Sequence, residues 1–218
     1  MANKVFLMAQ GKSSRWGTPN LPKQCIPVGG RPLIDRTMEM LPDNFSVTLI
    51  SPDDVLSYIA SERKFKYTYF KDPGSLLKGI WLCKDKIDLG VDNVLILLGD
   101  VMFSRKMLHL IFSKEWEEVT LFGRIGGNKI TGKEASELFA LWIPEQETEK
   151  FFDELKLVWI SLQEAGQEGK LWNLSREFGY TIKSLKDDYT DDIDSPQEYE
   201  KFYNVLNEAV IKDDLRLG

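Results

Sequence analysis

Short runs of apolar residues alternate with segments of helical spacing through the first half of the chain. Val5–Met8 is apolar throughout and reads as a buried strand. A stretch punctuated by Gly and Pro follows, from Gln10 to Arg31. Pro32 then falls where proline is tolerated, in the first turn of a helix running to about Leu41. Ser46–Ile50 reads as a second strand, and the Ser51-Pro52-Asp53-Asp54 cap precedes a helix from Val55 to about Ser61. Lys66–Phe70 alternates as a third strand, and Ser75–Lys84 is helical after the Asp72-Pro73-Gly74 turn. Asn93–Leu98 carries Val94, Leu95, Ile96, Leu97 and Leu98, apolar on both faces. A central parallel strand needs that pattern when helices cover both sides of its sheet.

Farther along, Arg105–Phe112 reads as a helix, Val119–Phe122 and Leu138–Ile143 as strands, and Glu145–Gln163 as a helix. Tyr180–Leu185 is a late strand candidate. Pro196–Ile211 places Tyr199, Phe202, Tyr203, Leu206 and Val210 at helical spacing. The alternation argues for an α/β sheet, and the looser order after about Glu118 for a mixed sheet with an inserted subregion. With 218 residues, no internal repeat and no Gly/Ser linker, the expectation is a single domain over 1–218.

Composition narrows the chemistry. There are 28 basic and 34 acidic residues, a net charge of −6 at pH 7. That balance is unsuited to general nucleic-acid binding, which needs a basic face to displace counterions. Val94–Leu98 falls far short of the ~20 residues of a membrane helix, and Val5–Ala9 falls short of the ~7–15-residue core of a signal peptide. Cys25 and Cys83 make neither a disulfide framework nor a metal-ligand spacing, so a reducing cytoplasm is the expected location. One histidine, His109, leaves little room for His-based hydrolysis or zinc chemistry.

Ligands of such sheets bind beyond the carboxyl ends of the strands. After the first strand the chain reads Ala9-Gln10-Gly11-Lys12-Ser13-Ser14-Arg15-Trp16-Gly17. Between Gly11 and Ile34 stand four bases (Lys12, Arg15, Lys23 and Arg31) and no acid. Gly11 permits close backbone approach, Ser13 and Ser14 offer donors, and arginine and lysine suit phosphate. A solvated basic loop is the plain alternative. A Walker A loop is excluded by Phe6 where its first glycine belongs, and a dinucleotide fingerprint by Ser13 and Trp16.

Asp100, in Gly99-Asp100-Val101, closes the all-apolar strand and offers a hard oxygen ligand suited to Mg²⁺, or a cap for the next turn. Asp187 to Asp194 holds five acids in eight positions. As a whole this run reads as a solvated acidic turn, with Asp194 or Ser195 capping the helix that follows. Asp192 and Asp194, two apart, share one side of an extended segment and so are placed to chelate one cation.

These residues carry a resemblance. Met8–Gly17, with Pro22-Lys23-Gln24 and Gly30-Arg31-Pro32-Leu33-Ile34, resembles the N-terminal signature of the nucleotidyltransferase superfamily. That superfamily includes sugar-phosphate, methylerythritol-phosphate and molybdenum-cofactor enzymes. Gly99-Asp100-Val101 is similar to its metal-binding aspartate motif, and Asp192-Ile193-Asp194-Ser195-Pro196-Gln197-Glu198-Tyr199 to its late metal motif. The three motifs occur in order and span residues 5–199. The resemblance implies a three-layer α/β/α sandwich with a mixed, mostly parallel sheet, Rossmann-like and of the GT-A type.

It also implies a Mg²⁺-dependent transfer of a nucleoside monophosphate from a nucleoside triphosphate to a phosphorylated small acceptor. Arg15 and Lys23 would hold the triphosphate and neutralise the α-phosphate. Ala9, Gln10, Gly11, Lys12, Ser13 and Ser14 would wrap the nucleotide, with Gly74 and Ser75 near the base. Asp100 with Asp192 or Asp194 would hold Mg²⁺. Residues of about 119–180 would supply the acceptor side, where Arg124, Asn128, Lys129 and Lys133 either meet a phosphate or form a solvated loop. Gln10 and Ser13 depart from the small residues usual there, which leaves base choice open, since a glutamine at that position is itself able to read a base edge. The partners implied are small molecules, with neither nucleic acid nor membrane, and a homodimer is compatible. Two other readings stand beside this one. A GT-A glycosyltransferase would use a nucleotide sugar, but Met102 stands where its second aspartate belongs. A nucleotide-binding protein without turnover is the other.

Overall fold

In this computed structural model the residues described are 3–10, 22–52, 55–62, 66–70, 74–113, 116–128, 132–186, 188–201 and 203. Strand β1 (Asn3–Met8) pairs in parallel with both β4 (Phe45–Ser51) and β6 (Asn93–Leu98). On one side β5 (Lys66–Tyr69) extends the sheet beside β4, again in parallel. On the other, β9 (Glu137–Ile143) runs antiparallel to both β6 and β8 (Thr120–Arg124), and β10 (Thr181–Ser184) lies parallel to β8 at the edge. The resulting seven-stranded order is β10-β8-β9-β6-β1-β4-β5, with β6 in the middle as its two apolar faces require.

Side-chain alternation divides the core into two layers. Val5, Leu7 and Ala9 of the first strand, with Leu95 and Leu97 of the central one, face α1 (Leu33–Glu39), α2 (Val55–Glu62) and α4 (Arg105–Phe112). Phe6, Met8, Val94 and Ile96 point the other way, onto α3 (Leu76–Leu82), α5 (Thr148–Glu164) and α6 (Leu171–Phe178). The molecule is therefore a three-layer α/β/α sandwich with a mixed, mostly parallel sheet.

Where sequence and structure differ, the differences are local. Pro32 precedes its helix and joins a two-residue hairpin, β2 (Pro27–Val28) with β3 (Arg31–Pro32), because Gly29 and Gly30 turn the chain at positive φ. The helix at Leu76 relaxes into a 3₁₀ turn over Cys83–Lys86, and Glu145–Glu147 forms a 3₁₀ turn before α5. Helix α6 has no counterpart in the sequence reading. Of the closing helix, 196–201 and 203 are described. A second short pairing was also unforeseen: β7 (Val101–Met102) lies antiparallel to β11 (Asp191–Asp192).

The register of β8 against β9 shifts between Phe122 and Gly123. A Cβ at Gly123 would strike the backbone carbonyl of Glu137 and lie 2.8 Å from Leu138 Cδ2. A bulge of this kind re-aims the next side chain, here Arg124. Gly123→Ala is expected to lower the thermal midpoint by roughly 2–10 °C, since two paired backbones rather than a flexible side chain must give. A midpoint unchanged in a thermal unfolding scan would contradict this account.

Candidate active site

The carboxyl ends of β1, β4 and β6 point to one edge of the sheet, as their parallel registers demand. Because β9 runs the other way, the described parts of the connection that enters it, 125–128 and 132–136, lie at that same edge. Ala9 continues the ladder through its N–H to the Ile50 carbonyl at 2.8 Å, and the Gly99 N–H donates to the Met8 carbonyl at 2.9 Å. A Cβ at Gly99 would come within 3.2 Å of Ala9 Cβ, so a glycine there lets the turn after β6 press onto the end of β1. Asp100 is thereby carried to the edge beside the segment that holds Lys23.

Lys23 opens a 3₁₀ turn (Lys23–Cys25) after Pro22. Its side chain is only 9% exposed, and its ammonium lies 2.5 Å from Asp100 Oδ2 and 3.0 Å from Asp194 Oδ1. Two carboxylates from distant parts of the sequence thus converge on one cation. Burial alone would lower the Lys23 pKa, but the charges and hydrogen bonds of Asp100 and Asp194 outweigh it and hold the ammonium well above the ordinary lysine range. A small apolar cluster of Ile26, Val28, Leu33, Met102 and Ile193 supports the arrangement, tying the Lys23 segment to the Asp192–Asp194 segment. The Ile193 N–H donates to the Asp100 carbonyl at 3.2 Å, and Tyr199 Oη donates to the Pro27 carbonyl at 2.5 Å.

Asp192 faces a second lysine. Lys133 Nζ is 2.6 Å from Asp192 Oδ1, 2.8 Å from its backbone carbonyl and 3.3 Å from Glu198 Oε2. Burial and the neighbouring charge of Asp194 nevertheless push the Asp192 carboxyl up to about 8, against the pull of Lys133. For Asp194 the opposite holds. Burial would raise it, but Lys23 and a hydrogen bond from Asp192 bring it down to about 2.

The acidic run is not a solvated turn. Asp188, Thr190 and Asp191 are buried. Ser104 Oγ donates to Asp188 Oδ2 at 2.6 Å while accepting from the Met107 N–H at the start of α4, and the Thr190 N–H donates to Asp188 Oδ1 at 2.8 Å. Asp191, 2% exposed, accepts from Arg124 Nη2 at 3.0 Å and from Asn128 Nδ2 at 3.4 Å. Arg124 and Asn128 are thus committed to holding this segment, and neither forms part of a solvated loop. Arg124 Nη1 also donates to the carbonyls of Gly126 and Ala135, which fixes the connection bearing Lys133. Ser195 supplies the helix cap, its Oγ accepting from the Glu198 N–H at 3.2 Å. Glu198 Oε2 accepts in turn from the Asp194 N–H at 2.8 Å.

Gly74 and Ser75 lie where α3 begins, with Ser75 Oγ accepting from the Lys78 N–H at 3.3 Å. Ala9 and Gln10 stand at the end of the first strand. Gly11, Lys12, Ser13, Ser14, Arg15, Trp16, Asp72, Pro73, Asp187 and Lys129 lie outside the described residues. Among the described residues no group of three or more His, Cys, Asp or Glu side chains is arranged to hold a metal ion. Two carboxylates on one cation, however, match the donor set of Mg²⁺, which takes one or two carboxylates and completes its shell with water and substrate phosphate. No helix among the described residues is long and apolar enough to cross a membrane.

Comparisons with known proteins agree with this geometry. A search of curated proteins by sequence found no match. Among solved structures, the chain is similar to the CTP:phosphocholine cytidylyltransferase LicC of Streptococcus pneumoniae. The TM-score is 0.69 at 16% identity, over 94% of this chain and 100% of that one. It is also similar to the inositol-1-phosphate CTP transferase of T. maritima, with a TM-score of 0.64 at 15% identity, over 95% and 96% of the two chains. HddC from Yersinia pseudotuberculosis, in its complex with GMP-PN, aligns with a TM-score of 0.61 at 15% identity, over 94% and 99%. At these identities the likeness speaks for the fold. The family model of the MobA-like NTP transferase domain, in contrast, matches the sequence itself over residues 5–121, and on that match the chain belongs to this family of nucleotidyltransferases.

Proposed function

We propose that this enzyme transfers a nucleoside monophosphate from a nucleoside triphosphate to a phosphorylated small-molecule acceptor, releasing pyrophosphate in a Mg²⁺-dependent reaction. The observation that carries the reading is the convergence of Asp100 and Asp194 on Lys23 at the carboxyl edge of the sheet, in a chain of the NTP transferase family. An acceptor phosphate oxygen attacks the α-phosphorus in line, and the bond from that phosphorus to the β-phosphate oxygen breaks. A phosphate monoester, with a second pKa of about 6, is already ionised at neutral pH and needs no general base. That suits a site whose chain has one histidine, His109, on α4.

Catalysis then rests on positioning and on charge neutralisation. Lys23 faces the α-phosphate, and Arg15 joins it from the loop after β1. Ala9, Gln10, Gly11, Lys12, Ser13 and Ser14 wrap the nucleotide, with Gly74 and Ser75 beside the base. Asp100 and Asp194, with Asp192 next to them, hold Mg²⁺. When bound, the metal supplies positive charge to the phosphate oxygens. The whole of 1–218 acts as one domain, and about 119–180 contributes the acceptor side through the connection that bears Lys133. Phosphocholine and inositol 1-phosphate, named for two of the similar structures, mark small phosphorylated alcohols as the first acceptor class to test. A glycosyltransferase reading gains nothing here, because Met102 is buried in β7.

Thermal unfolding against ATP, CTP, GTP and UTP, each with and without Mg²⁺, tests the donor half. At ~100 Kd a ligand adds ~2.7 kcal/mol, enough for a shift of several degrees. A Mg²⁺-dependent shift is expected with at least one triphosphate, followed by pyrophosphate release with a matching acceptor. A shift with a nucleoside-diphosphate sugar and with no triphosphate would overturn the proposal.

A further inference from the structure

Along β1 the side chains Phe6 and Met8 point into the layer that contains Leu77 and Ile80 of α3. Gln10 continues this line, two residues on, at the carboxyl edge. Where an apolar residue would complete the row, a carboxamide lies instead against Gly79, the glycine of the second turn of α3. A Cβ at position 79 would collide with Gln10 Oε1, Nε2 and Cδ together. Both Oε1 and Nε2 are buried, and neither has a hydrogen-bond partner among the described residues. A carboxamide desolvated on both polar atoms is destabilising unless something completes it. The sequence could have avoided that penalty with leucine or methionine. Instead it omits a side chain at Gly79 and keeps the amide.

The unsatisfied pair consists of one donor and one acceptor in a plane, at the end of β1 and one turn beyond the Ser75 cap of α3. Resting on the reading that the chain binds a nucleoside triphosphate, we propose that the Gln10 carboxamide reads the hydrogen-bonding edge of the nucleobase, and that Gly79 is a glycine to seat it. Adenine and cytosine present an exocyclic amino donor beside a ring-nitrogen acceptor, guanine and uracil a carbonyl acceptor beside a ring N–H, so an amide held in one orientation against Gly79 separates the two classes and is the specificity-determining group of the donor site. It takes no part in the transfer itself. Its complement can be changed predictably. A carboxylate accepts on both oxygens and donates on neither, and guanine alone offers two adjacent donors, N1–H and N2–H.

The test measures Mg²⁺-triphosphate affinity for ATP, CTP, GTP, UTP and ITP in the wild type and in Gln10→Glu, Gln10→Met and Gly79→Ala. Gln10→Glu is expected to move preference toward GTP by at least about 10-fold relative to each of ATP, CTP, UTP and ITP, the last lacking N2–H. Gln10→Met fills the same space with no donor or acceptor. It should flatten discrimination among the bases to within about 3-fold while leaving the thermal midpoint of the unliganded protein equal or higher. Gly79→Ala displaces the amide and should weaken base discrimination as well. A packing role alone would give the opposite result, with a lower midpoint in Gln10→Met and base preference unmoved in every variant. That result overturns this inference and leaves the donor reading intact. A wild type that binds none of the five triphosphates overturns both.

Discussion

Lys23→Ala is expected to lower turnover by about 10²–10³, the scale of losing one preorganised charge contact to a developing transition state. The expectation is firm in direction because the ammonium is placed so tightly. It is almost wholly buried, lies within 3.0 Å of two carboxylates, and is held protonated by them. Its removal subtracts a buried positive charge from the proposed α-phosphate position and takes from Asp100 and Asp194 the cation they share. Lys23→Arg should recover only part of the loss, since a planar fork does not occupy the space of a compact ammionium-sized charge. The assay is pyrophosphate release with the matched nucleotide and acceptor, alongside a thermal scan to show that each variant is folded. Turnover within a few-fold of wild type in Lys23→Ala would remove the residue from the mechanism.

The second large effect is on stability and falls on residues that touch no proposed ligand. Arg124→Met should destabilise the fold by about 3–5 kcal/mol, because it takes the guanidinium away from the carboxylate of Asp191 in a buried site. At this chain length that corresponds to a fall in midpoint of about 6–20 °C. The double variant Arg124→Met with Asp191→Leu should regain much of the loss, since a buried pair replaced by apolar groups is often neutral. If the double variant is as unstable as the sum of the two single variants, the pair does not act as a unit. The carbonyls of Gly126 and Ala135 also lose a donor in Arg124→Met, so the connection carrying Lys133 should loosen in the same variant.

Much of the fold was legible because apolar periodicity is a local signal. Asn93–Leu98 and Arg105–Phe112 have the same bounds in sequence pattern and structure, for the pattern changes sharply at both ends. Helix α6 was not legible. Its apolar positions, Leu171, Leu174 and Phe178, span barely two turns and follow a stretch with Gly166 and Gly169. The β7–β11 pair was equally hidden. Two residues carry no periodicity, and Asp191-Asp192 has the composition of a turn.

The candidate site divides in the same way. Lys23, Asp100, Asp192 and Asp194 stood out by residue type and motif, and the structure brings them together. Asp188 and Asp191 did not stand out, because what makes them buried is remote in sequence. Ser104 lies 84 positions from Asp188, and Arg124 lies 67 from Asp191. Nothing in a run of acids announces which of them will find such partners. Gln10 was visible as a departure from the family pattern able to read a base edge; its seat against Gly79 was not, for that requires the packing of α3 against the end of β1.

The ion pair between Lys23 and Asp194 joins residues 171 positions apart. During synthesis at about 5–20 residues per second, roughly 10–35 s separate the appearance of the first from that of the second. In the later part of that interval Lys23 and Asp100 are already available to each other, while Arg124 awaits Asp191, the acceptor that will bury it. The charged centre is thus complete only after all seven strands of the sheet have been made. Its long loop closure comes late and makes a slow contribution to folding. A nascent chain acquires a sheet before it acquires a site, so that the proposed binding of a cation and a triphosphate together would mark a chain whose sheet and late acidic segment have both been placed.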